Sequence, residues 1–273
     1  MNRITEIFTN EKRQFKFAPF LVIGDPDPER FITLVKALEP YADVLEFGIP
    51  FSDPIADGPT IQRANQRSLD QGITRSKALE LIKEIRSFTE KPIVILTYGN
   101  IIGAPPHHKE NLQKFKEAGI DGVIIADFPL EEISRISSDL EKEQISLINL
   151  ITPTMTPERF RAYLPYSSGY LYLVAVKGTT GEQTEVKEYT KQALMHFQQE
   201  TDQKLPILVG FGISTPDHAK IMVDSGADGV IVGSAIINII EENLNAAEKM
   251  QQEIKEFAAA IRTALDNYNQ PQR

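Results

Sequence analysis

The chain contains no cysteine in its 273 residues. Disulfides, thiolate metal sites and a cysteine nucleophile are therefore excluded. Long apolar runs are also missing, because none approaches the ~18 residues that a membrane helix needs. Residues 1–16 are polar and charged, unlike the apolar core of a signal peptide. We therefore expect a soluble, cytoplasmic protein that does not bind membranes.

Basic residues are the minority, with 29 lysines and arginines against 38 acidic residues and a net charge of -9. This balance argues against general binding to nucleic acid or to anionic membranes, although a local site for one phosphate stays possible. The hydrophobic fraction of 41% suffices for a large core. A chain of this length suits one α/β barrel of about 250 residues, so we expect a single domain over residues 1–273.

Eight short apolar segments recur along the chain, each followed by a polar stretch with helical periodicity. The segments lack alternation between apolar and polar residues, which indicates burial on both faces and parallel pairing. Strands that alternate with helices predict a (β/α)₈ TIM barrel, with a doubly wound open sheet as the alternative. Residues 1–11 are expected to form an extra helix that covers the barrel floor. The predicted strands are 17–24, 43–48, 92–98, 122–126, 146–151, 169–176, 206–210 and 228–233.

Several predicted helices begin with a capping residue followed by proline, as at Asp27, Thr156 and Thr215. The C-terminal stretch 235–267 is expected to be helical with a break near 243–245. The other predicted helices are 28–38, 75–88, 108–118, 130–143, 157–164, 186–201 and 216–225.

The segment 43–60 begins as a buried strand and becomes a loop rich in proline, glycine and aspartate. Glu46 lies in the apolar part of the strand, and Asp53 and Asp57 lie on the loop. Burying a carboxylate without a partner is costly. A carboxylate at a strand end that faces another on the next loop suits acid–base chemistry. The alternative is that Glu46 pairs with a buried cation or caps backbone amides.

The loops after the last three predicted strands have the composition of a phosphate site. They contain Gly181, Gly210, Gly212, Gly233 and Ser234. In barrels of this type the loops after strands seven and eight commonly hold phosphate through backbone amides and a helix N-terminus. The alternative is that these glycines only serve strand bends and helix caps.

Aromatic residues and histidines give weaker signals. Phe20 and Phe211 lie near strand ends and could line a flat apolar pocket, although core packing explains each of them alone. The four histidines lack ligand spacing beside a carboxylate, so we predict that they are solvated. They are His107, His108, His196 and His218.

The segment 46–62 (EFGIPFSDPIADGPTIQ) closely resembles the signature of the tryptophan synthase alpha chain family. Supporting matches follow in order along nearly the whole chain. They are 19–26 (PFLVIGDP), 122–131 (GVIIADFPLE), 152–159 (TPTMTPER), 178–181 (GTTG) and 209–214 (VGFGIS). The family is a (β/α)₈ barrel, so the resemblance implies the same fold as the strand pattern.

The resemblance implies a lyase that cleaves indole-3-glycerol phosphate without a cofactor or metal, in an alpha-beta-beta-alpha heterotetramer with a tryptophan synthase beta chain. Glu46 matches the acid–base carboxylate, and Asp57 matches the residue that holds the indole N–H. Tyr172 matches a pocket tyrosine, and Thr180 matches a threonine that orders Asp57 when the sixth loop closes. Phosphate contacts are implied for Gly212, Gly233 and Ser234.

Two rival functions remain beside this lyase. One is another phosphate-binding barrel, such as an isomerase or synthase of the same pathway, against which the long 46–62 signature argues. The other is an alpha-like subunit with little or no catalysis that activates a beta chain. The presence of both carboxylates argues against the second rival.

Overall fold

The computed structural model describes residues 2–9, 14–104, 106–174, 183–202, 204–210 and 212–268. For residues 183–189 it describes the backbone only. Nine parallel strands make up the sheet in this part of the chain. The order across the sheet is β5-β4-β3-β2-β1-β9-β8-β7-β6. The strands are β1 Lys16–Val22, β2 Leu45–Gly48, β3 Ile93–Thr97, β4 Gly122–Ile125, β5 Ser146–Leu147, β6 Leu150–Ile151, β7 Leu171–Val174, β8 Ile207–Gly210 and β9 Gly229–Val232. All eight predicted strands are present, most of them one to three residues shorter.

The fifth predicted strand closes the barrel. Its first half, β5, pairs with β4, and its second half, β6, pairs with β7. Between the halves, the Ile148 N–H donates to the Val123 carbonyl at 2.9 Å, and the Asn149 carbonyl accepts from the Tyr172 N–H at 3.1 Å. One continuous segment therefore bonds to both edges of the sheet. This ring confirms the TIM barrel over the open doubly wound sheet.

Helices follow the strands around the barrel. They are α1 Arg3–Thr9, α2 Pro28–Leu38, α3 Pro59–Asp70, α4 Arg75–Arg86, α5 Gly99–Ile102, α6 His107–Glu117, α7 Leu130–Lys142, α8 Pro157–Tyr163, α9 Gln183–Glu200, α10 Pro216–Asp224, α11 Ser234–Glu242 and α12 Ala247–Asp266. The expected caps are present, since Asp27, Thr156 and Thr215 each accept a backbone N–H of the first turn. Within the described part of the chain, no helix is both long and apolar enough to cross a membrane.

The sequence pattern did not predict α3 or the short α5. α3 is polar, and its buried residues are only Ala64, Asn65 and Ser68. Hydrogen bonds attach this helix to the barrel instead. The Ser68 hydroxyl donates to the Ile23 carbonyl at 2.6 Å. Arg67 forms a bidentate pair with the buried Asp25, with N–O distances of 2.7 and 2.9 Å. A helix held in this way lacks the apolar stripe by which sequence patterns identify helices.

The barrel interior is apolar at its N-terminal end. Ile4 of α1 is fully buried there and packs with inward residues such as Val44 and Tyr170. Cβ atoms added at Gly122 and Gly169 would lie 2.7 and 2.9 Å from Ile4 side-chain atoms, so these glycines make room for it. The N-terminal helix therefore covers the barrel floor as predicted.

The prediction that all four histidines are solvated is wrong. His108 is buried between α6 and α7, and its Nε2 lies 2.9 Å from a carboxylate oxygen of Asp139. The Nε2 atom of His196 is also buried, although this ring is only partly covered. The spacing of the histidines along the sequence argues against a metal site, but it cannot show which imidazole rings the neighbouring helices cover.

Candidate active site

A cavity of about 460 Å³ opens at the C-terminal ends of the barrel strands. Carboxylates, hydroxyls and backbone amides lie on one part of its wall, and apolar side chains form the rest. Its polar lining comprises Glu46, Asp57, Gly58, Tyr172, Gly212, Ser214, Gly233, Ser234 and Asn238, and its apolar lining comprises Phe20, Ala56, Ile61, Leu96, Ala126, Leu150, Val174, Ile213, Ile231 and Ala235. The location is the one where barrels of this type carry their active sites.

Glu46 reaches this cavity from the inward face of β2, where it pairs in register with Phe20 of β1. The side chain has no solvent exposure, and neither carboxyl oxygen has a hydrogen-bond partner of normal geometry among the described residues. Burial raises the pKa of Glu46 to about 8, and the nearby Tyr170 hydroxyl offsets part of this rise. The described residues thus offer neither the cation nor the amides of the alternative interpretation, and a pKa of about 8 keeps the carboxyl group mostly protonated at neutral pH.

Asp57 lies on the loop between β2 and α3, on the wall of the same cavity. Burial raises its pKa to about 6, while hydrogen bonds from Tyr98 and Asn65 partly offset the rise. The amide nitrogen of Asn65 donates to Asp57 Oδ2 at 3.2 Å. At neutral pH this carboxyl group is mostly ionised, in contrast to that of Glu46.

Asn65 and Tyr98 give the 51–57 loop its shape. The Asn65 side-chain oxygen accepts the Phe51 N–H at 3.2 Å, so one buried amide contacts both ends of the loop. The Tyr98 hydroxyl accepts the Ala56 N–H at 3.2 Å, and its ring stacks on Phe51 with centroids 4.9 Å apart. The sequence pattern did not indicate Asn65, because it did not indicate α3, the helix that carries this residue toward the loop.

Phe20 and Tyr172 lie on the cavity wall, as expected of substrate-binding residues. The Phe20 ring fits because glycines lie beside it: a Cβ at Gly48 or Gly233 would approach ring atoms at 2.9 or 3.1 Å. Thr180, Gly181 and Phe211 lie outside the described residues, and their roles stay predictions.

Three of the five predicted phosphate residues line the cavity, while Gly210 does not and Gly181 lies outside the described residues. Gly212, Gly233 and Ser234 line it, and Ser234 is the first residue of α11. Gly212 has a φ of 75°, a value that favours glycine. Gly210 ends β8 beside Tyr172 and is not on the wall. Ser214 and Asn238 also line the cavity.

Comparisons with known proteins agree with this geometry. Residues 8–266 match the family model for "Tryptophan synthase alpha chain". A tryptophan synthase alpha chain from Methanoregula boonei is 41% identical over 271 residues, which cover 97% of this chain and 99% of that one. A crystal structure of the alpha chain from Legionella pneumophila aligns with a TM-score of 0.87 at 34% identity and covers 98% and 99% of the two chains.

The chain belongs to the tryptophan synthase alpha chain family. A structure of the tryptophan synthase complex from Pyrococcus furiosus also contains a matching chain, with a TM-score of 0.79, 30% identity and coverage of 91% of this chain and 98% of that one. The resemblance that the 46–62 segment indicated is thereby confirmed. Burial raises the pKa of Glu46 to about 8 and that of Asp57 to about 6. At neutral pH the cavity of this family member therefore holds one group that is mostly a carboxylic acid and one that is mostly a carboxylate.

Proposed function

We propose that the protein cleaves indole-3-glycerol phosphate to indole and glyceraldehyde 3-phosphate, as the alpha subunit of tryptophan synthase. One observation carries this proposal: the fully buried Glu46, whose pKa burial raises to about 8, shares a cavity with Asp57, whose pKa burial raises only to about 6. Carbon–carbon cleavage of this kind needs a proton at indole C3, a stabilised cation and exclusion of water. No cofactor is needed for these steps.

Glu46 acts first as the general acid. It gives its proton to C3 of the indole ring, and the ring becomes an indolenine cation. The bond between C3 and the adjoining glycerol carbon then breaks, and its electron pair restores the aromatic ring. The hydroxyl group on that carbon becomes the aldehyde and loses its proton. Glu46, now a carboxylate, takes up that proton, so the group returns to its starting state and no net proton is consumed.

Asp57 accepts the indole N–H and stabilises the cation that protonation creates. Its hydrogen bond from Asn65 favours the ionised form. Phe20, Tyr172 and Phe211 contact the indole ring. Gly181, Gly212, Gly233 and Ser234 bind the phosphate, and Thr180 orders Asp57 when the sixth loop closes.

A beta chain is the proposed partner, in an alpha-beta-beta-alpha tetramer, and the cytoplasm is the proposed location. Membership of the family supports the partner. The loop that precedes Asp57 offers a contact surface, since Ile55 is 81% exposed. The main core cluster runs from Phe15 to Leu265, which supports a single barrel domain.

Indole release from indole-3-glycerol phosphate by the isolated chain, with and without a beta chain, tests the proposal. We expect slow release alone and faster release with the partner. Glu46→Gln and Asp57→Asn should each abolish most of the release, which excludes a contaminating enzyme. A chain that releases no indole under either condition, yet stimulates the beta chain, is an allosteric subunit, and the proposed lyase activity is then wrong.

A further inference from the structure

His218 contacts the cavity wall through Ser214. Its Nδ1 atom lies 3.4 Å from the Ser214 backbone nitrogen, whose N–H it accepts, and 3.3 Å from the Ser214 hydroxyl oxygen. His218 itself is half-buried on the first turn of α10, and it is not among the cavity-lining residues. The imidazole therefore contacts a lining residue without lining the cavity itself.

The direction of this hydrogen bond is fixed by chemistry. A backbone N–H can only donate, so Nδ1 must present its lone pair to the Ser214 N–H. One lone pair accepts one good hydrogen bond. The Ser214 hydroxyl, whose oxygen lies 3.3 Å from the same Nδ1, can therefore donate to an anion in the cavity while the Ser214 N–H stays bonded to the ring.

The arrangement is a variant of the capping box. The Thr215 hydroxyl caps α10 by accepting the His218 N–H at 3.2 Å, and the His218 side chain returns to the residue before the cap. In the usual capping box the returning side chain contacts the capping residue itself. Here it contacts Ser214, two residues after Gly212.

We propose that His218 is a positioning residue for the phosphate end of the site. By holding the Ser214 N–H, it keeps Ser214 on the cavity wall with its hydroxyl directed at the substrate phosphate. This inference rests on the proposed function, because it takes the anion to be the phosphate of that substrate. It adds a role for a side chain outside the cavity.

Variants of His218 are expected to fold. The cap of α10 uses the backbone of residue 218, and the helix is buried through Ala219, Met222 and Val223. His218→Asn offers a matched control, because the side-chain oxygen of asparagine can replace Nδ1 as the acceptor. His107→Ala changes an exposed histidine on α6 and controls for loss of an imidazole.

The test measures kcat and KM for indole-3-glycerol phosphate, and the Kd of inorganic phosphate by calorimetry. We expect His218→Ala to raise KM and Kd about 3- to 10-fold, the effect of one uncharged hydrogen bond, with kcat within about twofold. His218→Asn and His107→Ala should stay near the wild type. Ser214→Ala combined with His218→Ala should be no worse than Ser214→Ala alone.

Three results would overturn the inference: unchanged KM and Kd in His218→Ala, no rescue by asparagine, or additive effects in the double variant. Failure of the proposed function gives a different result. In that case the wild type releases no indole, while the Kd of inorganic phosphate still reports whether His218 acts on the anion site through Ser214.

Discussion

A Cβ atom at Gly210 would lie 2.3 Å from the hydroxyl oxygen of Tyr172 and 2.4 Å from two of its ring atoms. The two residues belong to neighbouring strands, β8 and β7. The ring can occupy its place on the cavity wall only because residue 210 has no side chain. This contact gives Gly210 a packing role that stands beside its predicted part in phosphate binding.

Gly210→Ala should therefore displace the Tyr172 ring and lower kcat/KM by at least about tenfold, since overpacking a dense interior forces side chains from their positions. Tyr172→Val removes the ring and costs activity by itself. The combination Gly210→Ala with Tyr172→Val should be more active than Gly210→Ala alone. If the double variant is the worse of the two, the collision is not what inactivates Gly210→Ala.

Glu46→Gln should lower indole release by at least ~100-fold, as expected for loss of an acid–base group, and yet stabilise the protein. Burial raises the pKa of Glu46 from 4.5 to about 8. Below pH 4.5 both the folded and the unfolded chain are protonated. Between pH 4.5 and 8 only the unfolded chain ionises, so the wild type loses stability as pH rises, by up to about 5 kcal/mol.

Thermal unfolding at pH 5 and pH 8 measures this effect. The Tm of Glu46→Gln should exceed that of the wild type by more at pH 8 than at pH 5. Glu80→Gln, at an exposed position of α4, is the control and should show no such gap. A constant difference between Glu46→Gln and the wild type at both pH values would contradict a protonated Glu46.

The kcat/KM for indole-3-glycerol phosphate should follow a bell-shaped pH profile. It should fall below about pH 6, where Asp57 becomes protonated, and above about pH 8, where Glu46 loses its proton. Asp57→Asn cannot titrate, so its residual activity should lack the acidic limb and keep the alkaline one. If that variant instead loses the alkaline limb, Asp57 is the acid and Glu46 is the anion.

Asn65→Ala should reduce kcat by about tenfold, because the loop loses the amide that contacts both Asp57 and Phe51. Gln66→Ala is the matched control: its amide, on the same helix, only contacts Asp70 at the surface. The two variants are compared by kcat and by Tm. A lower Tm in Asn65→Ala with kcat unchanged would show that Asn65 stabilises the fold without positioning Asp57.

The barrel could be predicted because strands that are buried on both faces have an uninterrupted run of apolar residues. Glu46 could be recognised as a candidate because it interrupts such a run. The sequence could not predict that the fifth strand divides, since this depends on the two neighbours that complete the ring. α3 was missed for a related reason. Its anchors, from Arg67 to Asp25 and from Ser68 to Ile23, join residues more than 40 positions apart.

The loop before Asp57 is exposed on one side, where we propose that the partner binds. Ile55 is 81% exposed, and Asp53 is exposed beside it, with its carboxylate accepting the Ser52 hydroxyl at 2.5 Å. Asn65 and Tyr98 hold the other side of this loop and touch Asp57 or its neighbour Ala56. A partner that binds the exposed side can therefore favour one position of Asp57 without touching the cavity.

Asp53→Ala should weaken the stimulation of indole release by a beta chain and leave the release by the isolated chain within about twofold. Its side chain is exposed and does not line the cavity, so its loss should affect docking and not the chemical step. Asp70→Ala, an exposed carboxylate at the far end of α3, is the control and should leave the stimulation intact. The measurement is the ratio of stimulated to basal turnover over a titration of the beta chain. Equal losses in both rates would show that Asp53 acts in catalysis. An unchanged ratio would mean that the loop does not transmit binding of the partner to Asp57.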